Sequence, residues 1–517
     1  MTRIVVSDVT SKLVDAPRAA LRTVRHHVAY RQREMPTVDA QRAIKRWWKG
    51  RKRFGGSGDL GRMWADGAVI EELATHGLTP ESLTRAMFEQ IMRGGIWDGW
   101  ERMVSSGGEF PTGLLPHVER ALRLRTDVTT WEVEDTRQPP PKAASWATID
   151  LFDYQKEAVE AFLSSGQGVV NLPPRSGKTR IAIATAAALG VPTVYIAPTV
   201  GVVEQTARAF EELLPHKTTI ALHSRRLSSS AKTHRLLIRA DVIITTPRTA
   251  LKIPNYHGRQ LLILDEFHHA AAKTWKEAAA ASGAFYRLGL TGTHFRADGR
   301  DMEMAGVLGR AVYARSVGDM VKLGRLVPAR IAMLRISGAI RASGYEVYRD
   351  GVVEHSPRNR ALADAASELV RRGRRVLVLV KEVAHAARLS SMIKGSVAVD
   401  GRDNDRVTAM LKALERGEVK AVVGTSVIGE GRDVPAADAL VYASGGKSKV
   451  RVVQDYFRAL TASDGKSSAI VVDAADTQHE ILLGHAAERL RHYRGEPAFE
   501  ASVIDPGAFV RWLDDNR

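Results

Sequence analysis

Residues 167–190 read QGVVNLPPRSGKTRIAIATAAALG: an apolar run breaks at two prolines, turns through Ser176, Gly177, Lys178 and Thr179, and restarts as an Ala-rich segment. No other stretch constrains the fold as much, because a strand, a tight turn and a helix in that order build an anion cradle. Backbone amides at the turn converge on a negative group, and the helix N-terminus adds its dipole. Within such a cradle Pro174, Arg175, Ser176 and Gly177 form the wall, Lys178 neutralises the β- and γ-phosphates of a nucleotide, and Thr179 offers a hydroxyl to Mg2+. The strict GxxxxGK[ST] spacing lacks its first glycine, whose place Leu172 takes.

A second signal follows in LLILDEFHH, 261–269, where an apolar run ends in two carboxylates. Downstream of a phosphate loop that arrangement suits Asp265 to hold Mg2+ and Glu266 to orient or deprotonate an attacking water. His268 and His269 lack a third ligand nearby in sequence, so His268 reads as a polar coupling residue and His269 as packing or surface.

Beyond the proline run QPPPK, 138–142, six short β-branched or leucine-rich runs alternate with Ala-rich helical stretches: TVYIAP, ADVIITT, QLLILDE, RRVLVLV, KAVVGTS and SSAIVVD. This rhythm predicts an α/β fold with two parallel sheets flanked by crossover helices. The expected boundaries are an accessory domain of mixed α+β character at 1–137, a linker at 138–145, α/β domains at 146–325 and 326–490, and an extension at 491–517. HEILLGHAAERLRHYRGE, from 479, reads as an amphipathic helix packing on the second α/β domain.

Composition narrows the chemistry. With no cysteine there are no disulfides, thiolate metal sites or cysteine nucleophiles. No apolar run approaches the roughly 18 residues a membrane helix needs, and the N-terminus has no h-region, so a cytoplasmic location without a membrane partner is expected. A net charge of +17 calls for a polyanionic partner. Residues 321–470 carry 26 basic and 16 acidic side chains, which is net +10 of that excess. RAIKRWWKGRKR, 42–53, sets seven basic residues around Trp47 and Trp48. It suits either phosphate contact with base stacking or a solvated basic face over buried tryptophans.

Taken in order, the motifs resemble those of the superfamily 2 DExH-type helicases and translocases. LFDYQKEAV resembles the adenine-reading Q motif, NLPPRSGKT motif I, APTVGVVEQ motif Ia, ITTPRTAL the TxPxxL element, DEFH motif II, and GLTGTHFRADG motif III with Gly292 and His294 as departures. In the second half, RRVLVLVKEVAHAARL resembles motif IV, the segment ending GTSVIGEGRDVP motif V, and VVQDYFRALTA motif VI. The resemblance implies two tandem RecA-like domains that close on ATP and Mg2+. Gln155, Lys178, Thr179, Asp265 and Glu266 would face Gly431, Asp433, Gln454 and Arg458 across that cleft. It implies DNA held through phosphates by Thr199, Thr246, Arg248 and Thr425, single-stranded in the motor groove, with duplex, forked or branched substrates overall. Thr291 and Thr293 would couple the two sites, although strand-end capping is an equal account of Thr293.

Motif VI departs from the family pattern, since Phe457 replaces a glycine and Thr461 the second arginine. Arg458 is then the retained finger, with Arg451 or Arg432 as possible substitutes for the lost one. GGIWDGWERMVSSGGEFPTGLLPHVERAL, 94–122, is similar to the module preceding the motor in phage-type UvsW-like and XPB-like DNA helicases, acting in replication, recombination or repair inside a bacterial or phage-infected cell. Three other readings stay open: the duplex-pumping motor of a restriction or defence system, an RNA helicase, and a nucleic-acid-binding scaffold without turnover.

Overall fold

The computed structural model describes residues 2–7, 9–31, 100–224, 236–253, 258–270, 272–292, 301–344, 346–400, 403–425, 437–446, 456–457, 459–463 and 466–515. They fall into two compact units. The first comprises Met1–Pro141, Phe267–Arg287 and His294–Arg310; the second comprises Lys142–Glu266, Leu288–Thr293 and Ala311–Arg517. The first boundary thus falls inside QPPPK, where consecutive prolines donate no backbone N–H to any sheet.

In the first unit, strands β1 (Thr2–Val6) and β2 (Thr10–Val14) form an antiparallel pair. A short ladder joins β3 (Ala29–Arg31) to β4 (Trp100–Arg102). β5 (Glu109–Pro111) adds antiparallel to β2, and β6 (Trp131–Asp135) adds parallel to β1. The resulting sheet order is β5-β2-β1-β6. Alternation along β1 sends Ile4 and Val6 to one face, where they meet Val24 of the helix Arg18–His27 and Val118 and Leu122 of the helix Leu115–Arg125. Met302 and Ala305, from the helix Asp301–Leu308, pack on this same core.

The second unit holds two seven-stranded sheets. One contains β7 (Gln167–Asn171), β8 (Thr193–Ile196), β9 (Thr219–Leu222), β10 (Val242–Thr245), β11 (Leu261–Leu264), β12 (Tyr286–Thr291) and β13 (Ala311–Ala314), ordered β13-β7-β12-β11-β8-β10-β9. The other contains β14 (Ala329–Ile336), β15 (Val376–Val380), β16 (Ser396–Val399), β17 (Ala421–Thr425), β18 (Ala439–Tyr442), β19 (Ala469–Asp476) and β20 (Phe499–Ile504), ordered β16-β17-β15-β18-β19-β14-β20. The described ladders of both sheets are parallel. β8, β10, β11 and β15 are buried along their whole length, as continuous apolar strands covered by helices on both faces must be. All six runs singled out in the sequence are strands, and the two sheets are the tandem RecA-like domains expected of the motif order.

The second sheet does not end at residue 490. β20 pairs in parallel with β14 from Ala329↔Phe499 onward, and Phe509, Trp512 and Leu513 enter its core. Arg330 donates to the Trp512 carbonyl at 2.9 Å with its guanidinium over the indole. The expected extension is therefore part of the second domain. Its strand signal, FEASVI, is weak in sequence because burial there depends on β14, more than 160 residues earlier.

The helix Glu480–Arg494 packs on this domain as anticipated, but its inner face carries charge. Arg489 is fully buried, pairs with Asp473 at 2.8 Å, and donates to the Gly446 carbonyl at 2.7 Å. Arg358, equally buried, pairs with Asp476 at 2.8 Å and donates to the Ala443 carbonyl at 3.0 Å. Between those two carbonyls, Ser444 O accepts from the Tyr348 hydroxyl and Gly445 O from that of Tyr442. Four successive carbonyls after β18 are thus held by four side-chain donors, in the loop that leads toward motif VI.

RRGRR at 371–375 is largely neutralised inside the domain. Arg371 and Arg372 pair with Glu368, Arg372 also with Asp514, and Arg375 with Asp438. Replacing Arg489 by Ala strands the buried carboxylate of Asp473, and urea unfolding should show a loss of about 3–5 kcal/mol.

Candidate active site

In a parallel sheet every crossover leaves from the carboxyl edge, so loops distant in sequence meet there. β7 leads to the phosphate loop, β8 to Thr199, β10 to Thr246 and Arg248, β11 to Asp265 and Glu266, and β12 to Thr291 and Gly292.

The phosphate loop is tightly closed on itself. Ser176 Oγ donates to the Pro173 carbonyl at 2.8 Å, and Lys178 Nζ donates to the carbonyls of Leu172 and Pro173 at 3.1 and 3.2 Å. Arg175 and Gly177 both have φ near +72°, a conformation that strains a non-glycine residue and marks the turn as specialised. At Gly177 a Cβ would collide with Nε2 of Gln155. Leu172, in place of the expected glycine, is fully buried and donates its N–H to the Thr291 carbonyl at 3.0 Å, so that position extends β7 rather than opening the turn. Burial lowers the Lys178 pKa, against the opposing pull of Glu266 and Asp265.

Asp265 lies at the end of β11, its N–H donating to Ile196 O at 3.0 Å and its Oδ1 accepting from the Glu266 N–H at 2.9 Å. Glu266 adopts φ of 45°, which turns the chain directly after the strand. Burial first, and the Glu266 charge second, raise Asp265 to about 6. The fully buried Tyr195 lies beside this pair, its phenol pKa raised by burial and then by the Asp265 charge.

Gln155 is tied into the loop and its helix. It is 2% exposed, its Oε1 accepting from the Phe152 N–H at the start of the helix Asp153–Ser165 and its Nε2 donating to the Ser176 carbonyl at 3.1 Å. The Tyr154 hydroxyl donates to the same carbonyl at 2.9 Å. Gln155 therefore ties the loop to this helix instead of presenting its amide to solvent. Phe152 carries the Arg325 guanidinium 3.4 Å from its ring centroid. Arg325 also accepts the Ala462 N–H on its carbonyl, while Leu326 bridges Thr461. The segment between the two sheets thus touches both the Q-motif helix and the end of motif VI. An aromatic residue three before Gln155 was visible in sequence; Arg325 had no signal.

Thr199 is exposed and caps the helix Val200–Leu213, accepting from Val202 N at 3.3 Å. Thr246 Oγ1 donates to Thr249 Oγ1 at 3.0 Å, and Arg248 is exposed. β8 and β10 are neighbours, which brings these three to one edge. Thr425 ends β17 in the second sheet, 8% exposed. His268 is buried against the exposed His269, ring centroids 4.2 Å apart, and His269 stacks on Trp275. Among the described residues no cluster of three or more metal-ligating side chains occurs. Phe457 is 2% exposed and stacks on Tyr456, so the residue replacing the motif VI glycine is a core side chain. Thr293, Gly431, Asp433, Gln454, Arg458, Arg451, Arg432, Trp47 and Trp48 lie outside the described residues.

Motif III's glycine has a physical partner. A Cβ on Gly292 would lie 3.1 Å from Cδ of Pro174, so the second proline of the phosphate loop fills the space an alanine would need.

Comparison with known proteins agrees with this geometry. A family model described as Type III restriction enzyme, res subunit, matches residues 148–296. The DNA 3'-5' translocase XPB2 of Sulfurisphaera tokodaii is 24% identical over 390 residues, 67% of this chain and 85% of that protein. The ATP-dependent DNA helicase uvsW of Enterobacteria phage T4 is 21% identical over 458 residues, covering 79% and 90% respectively. The chain is thus similar to proteins named as DNA helicases and translocases. A fold likeness extends to a putative HsdR subunit fragment of a type I restriction enzyme from Vibrio vulnificus, with TM-score 0.51 and 17% identity over 68% of each chain. The chain keeps the first-domain motif residues clustered, with Pro174 and Gly292 adjusted to each other.

Two outcomes follow from this packing. Gly292→Ala must push Pro174 aside, so the KM for ATP should rise while chemical unfolding stays within about 1 kcal/mol of the parent. Asp265 has its folded-state pKa above the unfolded value, so the group opposes folding at pH above about 6, and the opposition fades as pH falls toward the ordinary carboxylate range. Metal-free Asp265→Asn should then melt higher than the parent at neutral pH, the two converging in acid.

Proposed function

We propose that the protein is an ATP-dependent DNA helicase or translocase, acting in replication, recombination or repair, that couples hydrolysis between two RecA-like domains to movement on DNA. The observation that carries this reading is the meeting of the phosphate loop, the Asp265–Glu266 pair and Thr291 at one sheet edge, followed by a second domain of the same architecture. The relatives named as DNA translocase and DNA helicase support it.

In this reading the loop amides around Ser176 and Gly177 bind the phosphates. Lys178 exchanges the Leu172 and Pro173 carbonyls for phosphate oxygens, a trade that restores charge to a partly desolvated ammonium. Thr179 and Asp265 would hold Mg2+, which supplies charge neutralisation at the phosphates; the fit rests on a half-buried carboxylate pair whose mutual repulsion a cation relieves. Glu266 orients the attacking water and accepts its proton. Gly431, Asp433, Gln454 and Arg458 complete the site from the second domain, and the remaining arginine steadies the charge that develops as the bond breaks. Thr199, Thr246, Arg248, Thr425 and their neighbouring amides grip DNA through its phosphates, which makes binding independent of sequence. His268, Thr291 and Thr293 link the two sites.

A motor that pumps duplex without unwinding it is a second reading, favoured by the match of residues 148–296 to the restriction-enzyme res subunit family. Strand displacement on forked DNA, scored against displacement of a triplex-forming strand from intact duplex, separates the two. ATP hydrolysis should be stimulated by DNA and abolished in Lys178→Ala. Absence of turnover with every polynucleotide would instead favour a binding scaffold. Arg458→Ala should lower hydrolysis by roughly 10³-fold with ATP binding retained; surviving hydrolysis would place the finger elsewhere.

A further inference from the structure

One hydroxyl in the first RecA-like sheet is left unexplained by packing. All four residues of β8 are buried, two of them with hydroxyl groups. That of Thr193 donates to the Val191 carbonyl at 2.9 Å. Tyr195 is also fully buried, yet among the described residues its hydroxyl meets no partner in hydrogen-bond geometry. A buried hydroxyl left unpaired costs free energy, and an aliphatic side chain would fill the core without that cost.

The sheet register shows what the phenol faces. Tyr195 stands opposite Ile263 and Ile196 opposite Leu264, and the Asp265 N–H donates to the Ile196 carbonyl at 3.0 Å. Because side chains alternate along a strand, Tyr195 shares its face of the sheet with Asp265, one step further toward the carboxyl edge. Such diagonal neighbours are within reach of a long aromatic side chain. Ala197, which continues β8 on that face, adds only a methyl group there. Phe210, fully buried on the helix Val200–Leu213, meets the Tyr195 ring edge-on, with centroids 6.3 Å apart and planes at 77°, which holds the phenol in place. Burial, and after it the Asp265 charge, raise the phenol pKa, so the group stays an O–H donor. Thr206, 2% exposed on the same helix, is the other side chain in polar reach.

We infer that Tyr195 is a positioning residue for the metal-holding carboxylate, its hydroxyl donating to Asp265 when that group takes up a cation. Asp265 Oδ1 already accepts from the Glu266 N–H at 2.9 Å. The phenol adds a second donor, and two donors fix the plane of a carboxylate and the lone pairs it offers to a metal. Tyr195 itself touches neither nucleotide nor cation. The inference rests on the ATPase reading above.

Mn2+ serves as the probe, because its electron paramagnetic resonance signal reports binding without turnover. Titrated into the full-length protein at saturating ADP, Mn2+ should bind Tyr195→Phe about tenfold more weakly than the wild type. ADP affinity without metal should not change. The metal-free variant should melt at the wild-type temperature or above it, since the group removed has no partner there. DNA-stimulated hydrolysis should fall at limiting Mg2+ and recover at excess Mg2+, a rescue that structural damage would not allow. Tyr195→Met, also long and lacking the hydroxyl, carries the same readings should Tyr195→Phe not fold. Thr206→Val should keep wild-type Mn2+ affinity. A folded Tyr195→Phe with wild-type Mn2+ affinity overturns the inference, as does an equal loss in Thr206→Val, which would assign the hydroxyl to the helix. A wild type that neither binds Mn2+ with ADP nor hydrolyses ATP defeats the ATPase reading itself, and this inference with it.

Discussion

The carboxyl edge of a parallel sheet is the constraint on which the rest of this protein depends. The central strands β8, β10 and β11 of the first RecA-like domain are buried on both faces, so polar and charged side chains are expelled to the strand ends, and right-handed crossovers bring all those ends to one side. Residues separated by more than a hundred positions become neighbours for that reason alone. Leu172 N donating to Thr291 O is one weld of this edge, and it fixes the phosphate loop to the strand that bears motif III. Pro174 against Gly292 is the same weld seen from the side chains.

A second layer of order is electrostatic. Arg358 and Arg489 are both fully buried, and each would be prohibitively costly without its aspartate. Nη1 of each arginine reaches a carbonyl, Arg358 that of Ala443 and Arg489 that of Gly446, and two tyrosine hydroxyls take the carbonyls between. An apolar core could have stabilised the second domain as well. What ionic and hydroxyl donors add is direction, since they fix the path of one loop carbonyl by carbonyl on its way to motif VI. Around Asp265 the balance is reversed: burial and Glu266 together make its carboxylate uncomfortable, which suits a site built to receive a cation.

Much of the candidate site was legible because its signals are local. SGKT between strand and helix needs only a few residues to be recognised, whereas DE at a strand end and TGT after an apolar run take their meaning from the order of the motifs. Gln155 carries a local signal as well, but its contacts do not. Its amide is occupied by Phe152 N and Ser176 O, an arrangement that depends on where the helix 153–165 packs against the loop. Arg325 left no trace in the sequence, since an arginine in a connecting segment has no periodicity to betray it.

By itself the sequence determined the strand–turn–helix at 167–189, the carboxylate pair, the alternation that makes two parallel sheets, and the proline break at 138–142. Those features are set by residue type and short-range periodicity. Only the tertiary structure decided that β20 completes the second sheet beside β14, that basic residues at 371–375 are spent on ion pairs within the domain, and that the helix Asp301–Leu308 packs on the core of β1. Each of these turns on which distant surfaces bury one another. Close approach at a glycine such as Gly113, packed against the backbone of that helix, is selected by its partner, and no window of neighbouring residues contains that partner.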